Sequence, residues 1–291
     1  MFRRAFIFQG QNIRKYKPTH NDCNGIILII NRKHASSWMW QGPKPKLGEV
    51  QPQKFKHLLV IDFEATCGAE GSEPKPQEII EFPCALLNAN KGFEIEAIFH
   101  EYVRPVHNPK LTRFCTELTG ITQVSMLLIL LEKDRKRINF MDEFELQKFL
   151  LYFLKDMVDT EDDFATVFSK FNNWLVDQGM IAGNKDNLDE ENSNFTFVTC
   201  GDWDLKYMLP NQCDTSNIQM PRYFRKWINV KRSYATSAGG NFPRSLQVLL
   251  SKLNLTFEGR QHSGIDDVKN IAKIVKVLAK ERLVVFENTN G

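Results

Sequence analysis

The nine residues His57-Leu-Leu-Val-Ile-Asp-Phe-Glu-Ala65 decide the architecture. The apolar run at 58–61 has no polar interruption, the pattern of a strand buried on both faces. At its end stand Asp62 and Glu64. Side chains alternate along a strand, so these two carboxylates share one face and Phe63 takes the other. Two like charges at the edge of a dry interior repel each other and are poorly solvated. A divalent cation with oxygen ligands, Mg²⁺ or Mn²⁺, is an economical way to keep both ionised. The competing reading is an exposed strand end carrying two hydrated acids.

Outward from this stretch, residues 68–78 are loop-like, and 79–87 and 99–103 read as second and third strands. Short links between them imply antiparallel neighbours. A short helix is expected within 109–120, ending at Gly120. A longer one is expected over 162–178, with Phe164, Val167, Phe168, Phe171, Trp174 and Leu175 on one stripe. Residues 183–194 form a polar, acidic loop before the apolar strand Phe195–Thr199. A helix opens at Asp204, a short strand is expected at 227–230, and a helix at 244–253. The clearest helix is the last, where Ile265, Val268, Ile271, Ala272, Val275, Leu278 and Ala279 recur at helical spacing. A strand meander followed by alternating strands and helices predicts an α/β domain, a mixed sheet covered by helices.

The 291 residues, 42% hydrophobic and 25% charged, suit a globular chain. The longest apolar run, residues 126–131, is far short of the roughly 20 that cross a bilayer. The net charge of +3 hides a division: residues 1–48 carry nine Lys/Arg against the single acid Asp22, net +8, which leaves −5 for residues 49–291. An acidic body does not hold a polyanion by bulk charge, so a nucleic acid partner needs a local attractor such as metal ions. Residues 1–53 therefore read as a flexible basic arm, and 54–291 as the folded domain. Six cysteines at positions 23, 67, 84, 115, 200 and 213 show neither a C-x-x-C pair nor zinc-type Cys/His spacing. With no secretory h-region at the start, they read as reduced thiols in an intracellular protein of the cytoplasm or nucleus. The late first acid also permits a mitochondrial presequence.

Further carboxylates repeat the strand-end and helix-start placement. Gly201-Asp202-Trp203-Asp204 follows the strand Phe195–Thr199. Asp202 suits a helix cap, Asp204 suits either a cap or a metal ligand, and Trp203 suits either core packing or stacking on a base. His262-Ser-Gly-Ile-Asp266-Asp267 opens the last helix, with Gly264 allowing a close turn. Taken alone this is a capped helix with a surface histidine. Equally, a His five residues before an Asp suits a base beside a metal ligand, since imidazole titrates close to neutral pH. Four acids and one His in such places suggest a two-metal phosphodiesterase. In that chemistry ions about 4 Å apart activate water and stabilise the leaving oxygen.

In these residues and their order, the sequence resembles the DEDDh 3′–5′ exonucleases of the RNase H-like fold. D-x-E (Asp62, Glu64), W-D (Asp204) and H-x4-D (His262, Asp267) occur in that order. The stretches VIDFEATC, PQEIIEFP, FHEYVRPVHNPKLTRFCTELTGITQ, VTCGDWDL, MLPNQC and GRQHSGIDDVKNIA resemble the Eri-1 exoribonuclease branch over roughly residues 55–286. The resemblance implies a mixed five-stranded RNase H-like sheet flanked by helices. It implies two Mg²⁺ ions on Asp62, Glu64, Asp204 and Asp267, with Mn²⁺ able to substitute, and Glu64 touching both. By the same resemblance His262 is the general base, and RNA 3′ ends, single-stranded or with short overhangs, are degraded to nucleoside 5′-monophosphates. Phe63, Ala65 (through its backbone), Trp203 and His262 are the implied substrate contacts.

Two other readings compete: a catalytically weak RNA-binding or adaptor module on the same fold, and a DNA 3′ exonuclease. Protein partners stay unassigned, and no membrane is implied. Residues 124–158, which include a KDRKR cluster, have no counterpart in that family. They read as an insertion at a surface loop or a gene-model artefact. The acidic body predicts distributive action on short 3′ tails, since a long basic groove is what retains a strand.

Overall fold

The computed structural model describes residues 7–9, 12–14, 50–123, 158, 161–182 and 194–289. The chain divides into two units, Met1–Lys44 and Pro45–Gly291. In the first, β1 (Ile7–Gln9) and β2 (Asn12–Arg14) form an antiparallel pair. Apart from Val158, the stretch 124–158 lies outside the described residues, as does most of the loop expected at 183–194.

The second unit is built on one sheet containing β3 (His57–Ile61), β4 (Glu64–Ala65), β5 (Ile79–Asn88), β6 (Glu94–Tyr102), β7 (Phe195–Thr199) and β8 (Trp227–Asn229). β5 is antiparallel to β3, β4 and β6, while β7 is parallel to both β3 and β8. The expected count of five strands becomes six for a simple reason. Ile61 pairs with Cys84 and Glu64 with Glu81, so β4 resumes the register of β3 after a break at Asp62-Phe63. Across its width the sheet has five ranks, β6-β5-β3/β4-β7-β8, and the sixth strand is the first one continued.

Both faces of the central strands are buried, as their apolar runs required. Leu59, Ile61, Phe82, Cys84 and Phe197 face a core shared with α2 (Phe164–Asp177) and α3 (Leu209–Thr215). Leu58, Val60, Ala85, Leu87 and Val198 face the opposite core, formed with α4 (Val230–Ser237), α5 (Leu246–Lys252) and α6 (Gly264–Glu281). A short helix, α1 (Arg113–Thr119), is capped by the Thr112 hydroxyl and stopped by Gly120 in the left-handed conformation. β6 starts at Glu94, earlier than the alternation suggested. Among the described residues it pairs only with β5, and Ile95 and Ile98 are exposed on this edge strand, which blurs the pattern. The five described cysteines are free thiols. Among the described residues no helix is long and apolar enough to cross a membrane.

Candidate active site

Parity along β3 places the first two acids. Leu58 and Val60 face the α6 side, so Asp62 and Glu64 follow them, while Phe63 joins the aromatic core on the other side. Phe63 is 4% exposed and meets Phe82 edge-on at 4.8 Å. Its amide, at the break between β3 and β4, donates to Asp204 Oδ1 at 3.0 Å. Asp204 opens a π-helical turn, Asp204–Met208, in which the Leu209 amide reaches back to the Asp204 carbonyl. Such wide turns recur at functional sites because they re-aim side chains out of a regular helix.

The third segment is 262–267. His262 adopts the left-handed conformation with φ 61°, uncommon for a residue with a side chain. Its amide donates to Asp267 Oδ2 at 3.1 Å, and the Asp267 amide donates to the Ser263 carbonyl at 2.9 Å. The neighbouring Asp266 accepts from the Arg260 amide, closing the loop on its outer side. A Cβ on Gly264 would lie 2.8 Å from the Asp62 carbonyl oxygen and 2.9 Å from Pro83 Cγ. Only glycine lets the start of α6 rest directly on the end of β3.

Asp62, Glu64, Asp204, His262 and Asp267 thus line one cavity of about 270 Å³, together with Phe63, Cys200, Trp203, Lys231 and the first residues of α5. Oxygen or nitrogen atoms of Glu64, His262 and Asp267 all lie within 4.8 Å of one another. Desolvation by burial is the leading cause that raises the carboxyl pKa values. It pushes Glu64 up to about 9, with Glu81 and Asp267 adding repulsion, and Asp267 up to about 7. Asp204 rises only to about 6, because the Phe63 amide and Lys231 favour its anion. Burial and the surrounding acids hold Asp62 well above the usual carboxylate range. Four carboxyls that resist ionisation together, with Asp267 Oδ1 buried and without a hydrogen-bond partner among the described residues, fit a hard divalent cation.

The other expected positions divide. Trp203 is 40% exposed and lines the cavity, so its ring is available to a ligand. Phe63 contributes to the lining from a core position. Ala65 is buried, its carbonyl faces the Cys115 thiol, and it is not among the lining residues. The Asp202 carbonyl accepts the Lys206 amide, but its carboxylate turns away from the helix start and accepts from Trp227 Nε1, Asn229 Nδ2 and Arg232, tying β8 and α4 to the π turn. The local sequence suggested a cap, but these partners lie 25 or more residues away along the chain.

Two residues were missed. Lys231 brings a cation to the cavity from α4, and its position in sequence carries no signal. Glu81 accepts from the Gly264 and Ile265 amides at 2.9 and 3.0 Å, while His100 Nε2 lies 2.9 Å away. Here a signal existed: a lone carboxylate inside the apolar strand Ile79–Asn88 needs buried partners.

Comparison with known proteins follows the same geometry. A family profile described as Exonuclease (RNase_T) matches residues 59–128 and 153–275, passing over 129–152. ERI1 exoribonuclease 3 of Homo sapiens is 40% identical over 240 residues, 82% of this chain and 58% of the relative. The 3′–5′ exoribonuclease 1 of Homo sapiens is 37% identical over 260 residues, 87% of this chain and 61% of the relative. The 3′–5′ exonuclease Snipper of Drosophila melanogaster is 33% identical over 235 residues, 79% of this chain and 71% of the relative. The chain therefore spans only 58% and 61% of the length of the two human relatives. Among solved structures, the nuclease domain of 3′hExo, a DEDDh family member bound to rAMP, superposes with a TM-score of 0.61 at 31% identity. That match covers 82% of this chain and 100% of the other. The 3′-exonuclease in 3′-end-specific recognition of a histone mRNA stem-loop gives 0.62 at 29% identity, covering 85% of this chain and 71% of the other.

Proposed function

The chain belongs to the Eri-1 type DEDDh 3′–5′ exonuclease family, and from that premise we propose that it is a metal-dependent exoribonuclease acting on RNA 3′ ends. One observation carries the reading. Acids from the end of β3, from β4, the π turn and the start of α6, with one imidazole, line a single cavity in which a buried carboxylate oxygen has no partner among the described residues. Asp62, Glu64, Asp204 and Asp267 are the residues to hold two divalent ions, Mg²⁺ with Mn²⁺ as substitute. When bound, such ions lower the pKa of water and stabilise charge on the leaving oxygen.

The chain's own residues supply the rest. His262, exposed at the cavity mouth and within 4.8 Å of its acidic neighbours, is placed to accept the proton of an attacking water. Its backbone amide donates to Asp267, which ties the base to a candidate metal ligand. Trp203 offers a π-face to the terminal base, and Lys231 a positive charge to a phosphate. Cleavage then releases nucleoside 5′-monophosphates, one at a time from the 3′ end. RNA is preferred here on family grounds, and the discriminating group is the 2′-hydroxyl.

The test is digestion of 5′-labelled single-stranded RNA, with matched DNA as competitor. A ladder shortening by single nucleotides is expected with Mg²⁺ or Mn²⁺ and none with EDTA. Removal of several kcal/mol of charge stabilisation by Glu64→Gln should lower kcat at least about 10³-fold. No digestion with either metal, or full activity in Glu64→Gln, would sink the proposal. Binding of RNA without turnover would instead favour an adaptor.

A further inference from the structure

The motif PQEIIEFP contains a second buried acid to which the reading above gives no task. Glu81 is 1% exposed, the third residue of a strand whose other side chains are apolar up to its last residue, Asn88. Both of its oxygens are engaged. Oε2 accepts from the Gly264 amide, and Oε1 from the Ile265 amide, with His100 Nε2 beside it. The two amides belong to the first turn of α6, where backbone N–H groups lack partners within the helix. Ser263, at the N-cap position, makes no side-chain capping bond. A carboxylate from β5, 183 residues earlier in the chain, does that work instead.

This placement has a consequence for geometry. Glu81 pairs in register with Glu64 across the β4–β5 ladder, and on the face they share its carboxylate grips the turn that follows His262. One residue therefore refers Glu64 and the 262–267 segment to a common origin. The helix dipole and two charge-assisted hydrogen bonds hold that carboxylate in place. Its oxygens are saturated by these partners, which separates it from Asp267, whose Oδ1 has none.

We propose that Glu81 is a positioning residue of the nuclease site, registering His262 and Asp267 against Glu64 through the first-turn amides of α6. The proposal rests on the exoribonuclease reading for its kinetic arm, but the contact itself is tested separately. In the full chain, Glu81→Gln turns one acceptor oxygen into an N–H donor facing a backbone N–H. Glu81→Asp keeps the charge and withdraws it by one methylene. Outer partners of metal-site residues typically cost about tenfold to a hundredfold when lost. Both variants should lose kcat on that scale, after correction for the folded fraction, with KM for RNA changing far less. Amide hydrogen exchange should accelerate across residues 262–267 and stay slow in β3 and β7.

Wild-type kcat in folded Glu81→Gln and Glu81→Asp, or unchanged exchange at 262–267, would overturn the proposal. So would uniformly faster exchange across the sheet, the signature of a purely structural role. A wild-type protein that cleaves no RNA would refute the functional reading, while the exchange arm would still decide the contact.

Discussion

Gly264 shows how much of the site turns on single residues. Helical propensity favours alanine over glycine at an interior position by about 1 kcal/mol. Here a methyl group would meet the Asp62 carbonyl at 2.8 Å and the Glu81 carboxyl carbon at 3.2 Å. The backbone oxygen cannot yield without moving β3, so the start of α6 must move instead. Overpacking of this kind costs about 1–3 kcal/mol of stability, and a displacement near 1 Å at a reacting centre can cost about 10²-fold in rate. Gly264→Ala is accordingly expected to remain folded and to lose most of its kcat, measured by steady-state RNA hydrolysis beside a thermal melt. An active Gly264→Ala protein would show that the approach of α6 to β3 is not required. The glycine's importance was legible in H-S-G-I-D-D, but the atom it makes room for was not. That atom belongs to residue 62.

At the scale of elements, α2 demonstrates what patterning delivers. Its apolar stripe predicted the buried face, and Phe171 sits at its centre against Phe82, Phe99, Trp174, Phe197 and Phe224. Truncating a fully buried aromatic costs about 3–5 kcal/mol, because the rings around it cannot collapse into the space. Phe171→Ala should lower the free energy of unfolding by that amount, read as a lower denaturation midpoint with an unchanged m-value. A loss below about 1 kcal/mol would mean that this aromatic cluster is adaptable rather than close-packed. The turn at Asp204 taught the opposite lesson. A helix start was visible in the sequence, but its widened i→i+5 turn and the bond from the Phe63 amide, 141 residues away, were not.

For the whole molecule, the decisive quantity is the charge collected in one cavity. Glu64, Asp267 and Asp204 titrate at about 9, 7 and 6 when folded, against ordinary carboxyl values near 4. A group whose folded pKa is raised binds its proton more tightly in the native state. Its stabilising contribution is complete below the unfolded value and is lost as pH rises through the folded one. In EDTA, the melting temperature should therefore fall between about pH 5 and pH 9. Divalent ions bind the ionised carboxylates, so excess Mg²⁺ should reduce that fall and its benefit should widen with pH. Scanning calorimetry across this range, with and without Mg²⁺, checks the sign. Parallel curves would mean that the four acids do not share ions.

Sequence alone determined the sheet with two dry faces, the strand and helix order, and the parity that sets Asp62 and Glu64 apart from Phe63. These follow from periodicity, a property of neighbouring residues. Tertiary structure alone decided that Asp202 ties β8 to the π turn, that Lys231 reaches the cavity, and that Glu81 caps α6 from another strand. Each of these depends on partners distant in the chain, and a hydrogen bond between residues 81 and 264 leaves no periodic trace in either segment. What the sequence did record was the unpaired need itself: a carboxylate placed where only a buried partner could satisfy it.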